Sequence, residues 1–218
     1  MKLFLDTANR ALIKTFLDTG LVDGITTNPT HLSKEGDDPK QVLRDICTMV
    51  KGPVSIEVVE KEPEAVYAQA VKIAAFAPNV VVKIPFSQAY LPVIHKLVTQ
   101  GVKLNITLVF TPIQALMVAK LGVTYISPFL GRLDEIGVNG SAVLREMVAI
   151  KKEYLFTSQI LAASIRHVLH WQEAAVVGAD VATVPPALFE QAMRHPLTDR
   201  GIAQFDADWQ KVSHKQFV

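Results

Sequence analysis

A lysine inside an aliphatic run is the residue of this sequence best suited to chemistry. The run, residues 80–85 (VVVKIP), predicts a buried strand because β-branched residues dominate it. Alternate residues of a strand face opposite sides, and the outward set, Val80, Val82 and Ile84, is aliphatic throughout. Lys83 therefore points inward. Because an unpaired buried ammonium costs several kcal/mol, we expect this amine to be paired or partly neutral, the condition for attack on a carbonyl carbon.

The same alternation places polar side chains inward at the carboxyl ends of six further predicted strands. These side chains are Asp6, Asn28, Glu57, Asn105 with Thr107, Ser127 and Ser164. In the strand before Ser164, the rule assigns Leu161 and Ala163 to the outward face. One polar residue at the end of a strand is common. Together with the strand of Lys83, however, seven strands carry an inward polar residue at this end, which predicts a shared site. A lysine flanked by carboxylates in such a site indicates imine chemistry with acid–base help.

The elements that must position these residues are strands alternating with helices. Eight strands are predicted to start near Lys2, Val22, Val54, Val80, Val102, Val123, Gln159 and Asp180. Strand–helix alternation favours parallel pairing, and eight units predict an α/β fold of the (β/α)8 TIM-barrel type. An open doubly wound sheet is the alternative, but the chain lacks the G-x-G-x-x-G turn typical of it. We expect one domain, residues 1–218, in which residues 196–218 add C-terminal helices.

Composition excludes several classes of function. Charges nearly cancel, with 22 basic and 21 acidic residues, so nothing predicts binding to nucleic acid or an anionic membrane. The one cysteine, Cys47, excludes an internal disulfide and fits a reducing compartment. No apolar run is long enough to cross a bilayer, and Asp6 interrupts the only short run that resembles a signal peptide. We therefore expect a cytoplasmic enzyme.

Metal and cofactor chemistry are not expected. The six histidines fall in predicted helices or loops: His31, His95, His167, His170, His195 and His214. His167 and His170 share an i,i+3 spacing, but no carboxylate or cysteine close to them in the sequence completes a ligand set. A nucleophile elbow and a phosphate-binding P-loop are also missing from the sequence.

Six motifs together resemble the transaldolase family over nearly the whole chain. They are Leu5–Thr7 (LDT), Gly24–Pro29 (GITTNP), Val82–Pro85 (VKIP), Asn105–Phe110 (NITLVF), Ile126–Arg132 (ISPFLGR) and Ala163–Arg166 (ASIR). The length resembles the short subfamily that includes fructose-6-phosphate aldolases. The resemblance implies that Lys83 forms a Schiff base with a ketose phosphate and that Asp6 takes the proton of the C4 hydroxyl. Glu57 and Thr107 would hold the water that carries protons during imine formation.

The resemblance also implies a substrate-binding set. Residues implied to contact hydroxyls of the retained dihydroxyacetone unit are Asn28, Asn105 and Ser127. Residues implied to hold the phosphate are Arg132, Ser164 and Arg166. Family transaldolases carry Glu and Phe where family aldolases carry Gln and Tyr, and this chain has Glu57 and Phe129. These two residues favour a transaldolase over a fructose-6-phosphate aldolase that releases free dihydroxyacetone.

Three points stay open in the sequence. Residues 86–90 (FSQAY) depart from the Thr and Glu-Gly that short relatives show there, which leaves the acceptor undefined. Short family members form rings of subunits, so a homo-oligomer such as a decamer is implied, with Trp209 in the tail reaching a neighbour. A non-catalytic sugar-phosphate-binding barrel and a metal-dependent barrel aldolase or isomerase remain alternatives of other classes.

Overall fold

Eight parallel strands close into a barrel in the computed structural model, which describes residues 1–213. Each strand pairs with the next along the chain, and β8 returns to β1. The strands are β1 Lys2–Asp6, β2 Gly24–Thr26, β3 Val54–Glu57, β4 Val80–Pro85, β5 Leu104–Val109, β6 Tyr125–Pro128, β7 Gln159–Ala162 and β8 Val181–Val184. This confirms the predicted (β/α)8 barrel, although β2, β5 and β6 each begin two residues later than predicted.

Helices follow the strands, and a short 3₁₀ turn, Gln88–Tyr90, precedes one of them. The helices are α1 Arg10–Leu17, α2 Pro29–Leu32, α3 Pro39–Met49, α4 Pro63–Ala74, α5 Leu91–Thr99, α6 Pro112–Lys120, α7 Leu130–Asp134, α8 Gly140–Glu153, α9 Val168–Val177, α10 Pro186–Ala192 and α11 Pro196–Trp209. Helices α2, α3, α4, α6, α10 and α11 begin at a proline. Proline suits this position because its fixed φ is helical and the amide it lacks would be unpaired there.

Apolar side chains pack on both faces of the barrel sheet. The outward residues of β4 join the large core between strands and helices, as the alternation rule predicts. A smaller cluster of inward residues fills the centre: Phe4, Val81, Tyr125, Leu161, Ala163 and Val181. The rings of Phe4 and Tyr125 meet edge to face with centroids 5.7 Å apart. This cluster forms a solid floor beneath the carboxyl ends of the strands.

The predicted facing of β7 is wrong. Leu161 and Ala163 belong to the inward cluster, not to the outward core. The register explains this, because Gln159 lies opposite the inward Tyr125, and alternation then carries Leu161 inward. Ser164 follows the end of β7 and has a φ of 55°, a left-handed conformation in which strand alternation does not apply.

Beyond β8, α10 completes the eighth unit, and α11 confirms that a helix follows it within the predicted range 196–218. In α10, Phe189 is buried, and its ring contacts Phe16 at 5.3 Å and Trp171 at 4.8 Å. No residue of α11 is buried, so packing of this helix on the barrel is not observed. The last part of the predicted tail, residues 214–218, lies outside the described residues. Among residues 1–213, none of the helices combines the length and apolar character needed to span a bilayer.

A buried histidine ties together the helices that follow β6 and β7. His170 of α9 is only 3% exposed, and its Nε2 lies 2.5 Å from Oδ2 of Asp134 at the end of α7. Its Nδ1 accepts the backbone N–H of Arg166 at 3.3 Å. The other carboxylate oxygen of Asp134 accepts the N–H of Gly140, at the start of α8, at 2.9 Å. These bonds fix the segment after β7 against α7, which carries Arg132.

The same bonds set the titration of Asp134. Burial opposes its ionisation, but the hydrogen bonds from Gly140 and His170 outweigh burial and lower the pKa of this carboxyl below its ordinary value. A carboxyl whose pKa is depressed in the folded state stabilises the fold above its unfolded pKa. That contribution is lost as the pH falls through the folded pKa.

We predict that Asp134→Asn lowers the free energy of unfolding at pH 7 by about 1 kcal/mol, because charge-assisted hydrogen bonds are lost at a partly exposed site. The difference from wild type should shrink as the pH falls below about 4, the ordinary pKa of an aspartate in the unfolded chain, because the unfolded chain then binds a proton before the folded one does. Urea unfolding at fixed protein concentration between pH 7 and pH 3 measures both effects. Asp18→Asn, at the exposed C-terminal end of α1, is the matched control and should show no difference. A difference for Asp134→Asn that stays constant down to pH 3 would contradict the prediction.

Candidate active site

A cavity opens above the inward floor, at the carboxyl ends of the strands. Eight residues that the sequence predicted for the site line it: Asp6, Asn28, Lys83, Asn105, Thr107, Ser127, Phe129 and Ser164. The remaining lining residues are Thr26, Leu161, Ala163 and Thr183. The position is the one at which barrel enzymes place their chemistry.

The amine of Lys83 is held in a buried ion pair. Glu57 and Lys83 lie opposite each other on β3 and β4, so both side chains point into the barrel at the same level. The Nζ atom lies 3.0 Å from Oε2 of Glu57 and donates to the backbone carbonyl of Thr27 at 3.2 Å. The two side chains are only 6% and 15% exposed. Glu57 therefore contacts the amine from the side, in position to accept a proton from it.

Asp6 lines the cavity but pairs with other groups. Its Oδ1 accepts a hydrogen bond from Oγ1 of Thr26 at 2.8 Å. Because Thr26 donates to Asp6, the hydroxyl of Thr183 must supply the hydrogen of the 2.6 Å contact between the two threonines. Two acids were expected close to the amine of Lys83. Glu57 contacts this amine directly, whereas Asp6 lines the same cavity without contacting it.

Three residues near Asp6 were missed at the sequence level. Thr26 could have been found, because the rule that turns Ile25 and Thr27 outward turns Thr26 inward. Thr183 lies on β8, for which no inward polar residue was considered. His31 has its Nε2 3.3 Å from Oδ1 of Asp6, although the histidines were assigned to helices and loops away from the site. It lies on α2, but the first turn of that helix faces the cavity.

A small polar network orients Asn105. Its Nδ2 donates to Oγ of Ser55 at 3.1 Å, and its Oδ1 accepts from Oγ of Ser127 at 2.6 Å. All three residues are at most 1% exposed. The hydroxyl of Ser127 donates its hydrogen bond to Asn105. Its oxygen lone pairs therefore face the cavity and can accept a hydrogen bond from a substrate hydroxyl.

Asn28 and Thr107 each leave one group available. The Oδ1 of Asn28 caps α2 by accepting the N–H of His31 at 2.9 Å. Within residues 1–213 its NH₂ group has no acceptor, so it can donate into the cavity that Asn28 lines. The hydroxyl of Thr107 is buried and has no hydrogen-bond partner among residues 1–213. A buried hydroxyl without a protein partner beside Lys83 is suited to hold a water or a substrate oxygen.

The predicted phosphate-binding residues are not all at the cavity. Ser164 lines it, and the guanidinium of Arg132 lies over the ring of Phe129, 5.3 Å from its centroid. Arg166 points away, and its Nη2 contacts Oε1 of Glu135 at 2.9 Å on the surface. The divergent segment, residues 86–90, does not line the cavity either.

Asp134, His167 and His170 form a cluster whose nitrogen and oxygen atoms lie within 4.8 Å of one another. The expectation that no carboxylate accompanies these histidines is wrong, because α7 brings Asp134 to them from a distant part of the sequence. In both rings, however, Nδ1 accepts a backbone N–H: Nδ1 of His167 accepts from His170, and Nδ1 of His170 accepts from Arg166. In a neutral ring the proton must then be on Nε2, which leaves no lone pair for a metal. These hydrogen bonds favour a structural role for the cluster.

Comparisons with known proteins agree with the fold and with the motifs. The family model described as Transaldolase/Fructose-6-phosphate aldolase matches residues 3–216. A protein of Listeria monocytogenes serovar 1/2a named "Probable transaldolase 2" is 48% identical over 216 residues, which is 99% of each chain. A "Probable transaldolase" of Lactiplantibacillus plantarum is 49% identical over 216 residues, covering 99% of this chain and 100% of its own.

A solved structure from Coccidioides immitis, whose name refers to a fructose-1,6-biphosphate aldolase, resembles the fold with a TM-score of 0.58. It covers 90% of this chain and 81% of its own, at 14% identity, and so supports the barrel fold alone. The family match over nearly the full length and relatives close to half identical lead to one assignment. The chain belongs to the transaldolase/fructose-6-phosphate aldolase family.

Proposed function

We propose that this protein is a transaldolase that transfers a dihydroxyacetone unit from a ketose phosphate to an aldose phosphate through a Schiff base on Lys83. The observation that carries the proposal is the buried Lys83–Glu57 pair at 3.0 Å, next to a cavity lined by Asp6 and by hydroxyl and amide groups. The donors would be sedoheptulose 7-phosphate and fructose 6-phosphate, and the acceptors glyceraldehyde 3-phosphate and erythrose 4-phosphate. This is a reaction of the pentose phosphate pathway.

In the proposed mechanism, Glu57 accepts a proton from the ammonium of Lys83 and frees the amine to attack C2 of the ketose. The resulting carbinolamine loses water to form an iminium. A water held by Glu57 and the unpaired hydroxyl of Thr107 carries the protons of this step. No metal or organic cofactor is needed, because the iminium itself accepts the electrons released in the next step.

Carbon–carbon bond cleavage is assigned to Asp6. Its carboxylate takes the proton of the C4 hydroxyl, the C3–C4 bond breaks, and the electron pair moves to the iminium nitrogen to give an enamine. Asn28, Asn105 and Ser127 hold the hydroxyls of the three-carbon unit that stays on Lys83. The enamine carbon then attacks the carbonyl carbon of the acceptor aldehyde, and Asp6 returns its proton to the new C4 oxygen. Hydrolysis of the new iminium releases the product and frees Lys83.

We assign the phosphate to Ser164, which lines the cavity, and to Arg132, whose guanidinium lies over the ring of the lining residue Phe129. A guanidinium and a hydroxyl both suit phosphate oxygens. Arg166 would join them only by leaving Glu135, an exposed partner whose hold on it is worth at most about 1 kcal/mol. A charged substrate at the mouth is sufficient to compete with such a pair.

Phe129 favours transfer over free aldol cleavage. It lines the cavity, and its ring packs against Phe110 with centroids 6.3 Å apart. A phenyl ring cannot donate a proton to the enamine, so the three-carbon unit waits for an acceptor aldehyde. Fructose-6-phosphate aldolase is the second candidate, because the same Schiff base would release dihydroxyacetone if water protonated the enamine.

We further propose that the chain forms a homo-oligomeric ring through α11. Leu197, Ile202 and Phe205 of this helix are 58%, 55% and 75% exposed, although all three are large and apolar. A second copy of the chain would cover them and remove this surface from water.

A reducing compartment such as the cytoplasm suits Cys47, since burial raises the pKa of its thiol to about 11.

We predict that Lys83→Met lowers transaldolase turnover at least about 1000-fold while the fold persists, because methionine matches the stem but has no amine. Borohydride reduction with fructose 6-phosphate should add covalent mass to the Lys83 peptide of the wild type and none to the variant. Lys103→Met, at an exposed position next to β5, is the matched control and should behave as wild type.

Two outcomes would overturn the assignment. A wild-type enzyme that binds fructose 6-phosphate but gains no mass on Lys83 would be a non-catalytic binding barrel. Loss of activity with EDTA, together with full activity of Lys83→Met, would identify a metal-dependent aldolase or isomerase.

Phe129→Tyr should raise the release of free dihydroxyacetone from fructose 6-phosphate about tenfold or more, because a phenol near the enamine can supply a proton. The measurement compares cleavage with and without erythrose 4-phosphate. Phe110→Tyr, which alters the neighbouring ring outside the cavity lining, controls for the added hydroxyl. An unchanged ratio of cleavage to transfer in Phe129→Tyr would contradict the role given to Phe129. Strong cleavage by the wild type without erythrose 4-phosphate would favour the aldolase.

Phe205→Glu should reduce the size of the assembly, because a buried unpaired carboxylate at a subunit contact costs several kcal/mol. Size-exclusion chromatography with light scattering gives the molar mass in solution. Val176→Glu changes an apolar residue of α9 that is 78% exposed, close to the 75% of Phe205, and should leave the mass unchanged. A monomeric wild type would refute the oligomer outright.

A further inference from the structure

His31 contacts the proposed base Asp6, and the mechanism above gives it no role. The Nε2 of its ring lies 3.3 Å from Oδ1 of Asp6, and the two side chains are 22% and 20% exposed. The position of the ring is set by the backbone. Asn28 caps α2 through the N–H of His31 at 2.9 Å, and Pro29 starts the helix. The imidazole is therefore held at the mouth of the site by the same residue that we assign to substrate binding.

Both neighbours of the Asp6 carboxylate act on one of its oxygens. Thr26 donates to Oδ1 at 2.8 Å, and His31 lies against Oδ1 as well. Neither contact uses Oδ2, so Oδ2 is the oxygen that can face the C4 hydroxyl. A charge that appears or disappears on the imidazole acts on a carboxylate that must gain and lose a proton in each cycle.

The other groups that face this pair carry less variable charge. Thr26 on β2 and Thr183 on β8 are neutral hydroxyls that lie behind Asp6. Lys83 on β4 and Glu57 on β3 are engaged with each other at 3.0 Å. His31 differs from these groups because an imidazole exists both as a neutral ring and as a cation.

We propose that His31 is a positioning residue that sets the strength of Asp6 as the base in carbon–carbon bond cleavage, an inference that rests on the proposed function. When the imidazole is neutral, Asp6 takes the C4 proton on Oδ2 as the C3–C4 bond breaks and its electron pair moves to the iminium nitrogen. When the imidazole is protonated, its positive charge stabilises the carboxylate and makes it a weaker base. His31 itself exchanges no proton with the substrate, so the balance of the step is unchanged.

The test compares the pH dependence of cleavage in variants that cannot carry this charge. His31→Gln and His31→Leu are assayed with fructose 6-phosphate and erythrose 4-phosphate between pH 5.5 and pH 8.5. The ratio of the variant rate to the wild-type rate is plotted against pH. Changes in rate with pH that come from Lys83 and Glu57 are common to both proteins and cancel in this ratio. We expect the ratio to rise about threefold or more from pH 8.5 to pH 5.5 for both variants, because neither acquires a positive charge.

His95→Gln is the matched control, since it removes an exposed imidazole on α5 away from the site, and its ratio should stay flat. Borohydride trapping on Lys83 is run on every protein at both ends of the pH range. Trapping in all proteins with flat ratios for both His31 variants overturns the role of His31. Failure of the wild type to trap fructose 6-phosphate overturns the proposed function instead, so the two failures are distinguishable.

Discussion

A lysine ammonium buried against one carboxylate is the constraint on which the rest of this structure depends. Removing such a pair from water is expensive, and close geometry with further hydrogen bonds must offset the cost. The barrel provides that geometry because Glu57 and Lys83 are register partners on adjacent strands, and the carbonyl of Thr27 adds a third contact. The pair is therefore held by the backbone of three strands, and its separation depends little on loop motion.

Stability and chemistry are divided between the two ends of the barrel interior. The inward apolar cluster fills the centre, and the polar residues stand above it at the carboxyl ends of the strands. The outer segments are fixed by other means. The Asp134–His170 bond joins the helices after β6 and β7, and the cap of Asn28 sets the first turn of α2. Other groups are held by hydrogen bonds within the cavity lining, from Thr26 to Asp6 and from Ser127 to Asn105.

The strands and the residues on them could be predicted from sequence, and the surroundings could not. Alternation placed Lys83 and Glu57 correctly because a regular strand has a fixed period of two residues. It failed for Leu161 and Ala163, which point inward, because the facing of β7 was counted back from Ser164, a residue beyond the strand end in a left-handed conformation. The direction of Arg166 depends on a surface partner that is distant in sequence. His31 was missed because a helix of four residues, α2, is too short to show a periodic pattern.

The solid floor of the barrel also dictates the order of events in the proposed transfer. With Phe4, Val81 and Tyr125 packed beneath the cavity, a molecule can approach Lys83 only from the mouth. The first aldehyde must therefore depart through the same opening by which the second arrives. The two aldoses of the proposed reaction would then bind in turn, and the proposed cycle would be a double displacement in which Lys83 alternates between a free amine and a three-carbon adduct.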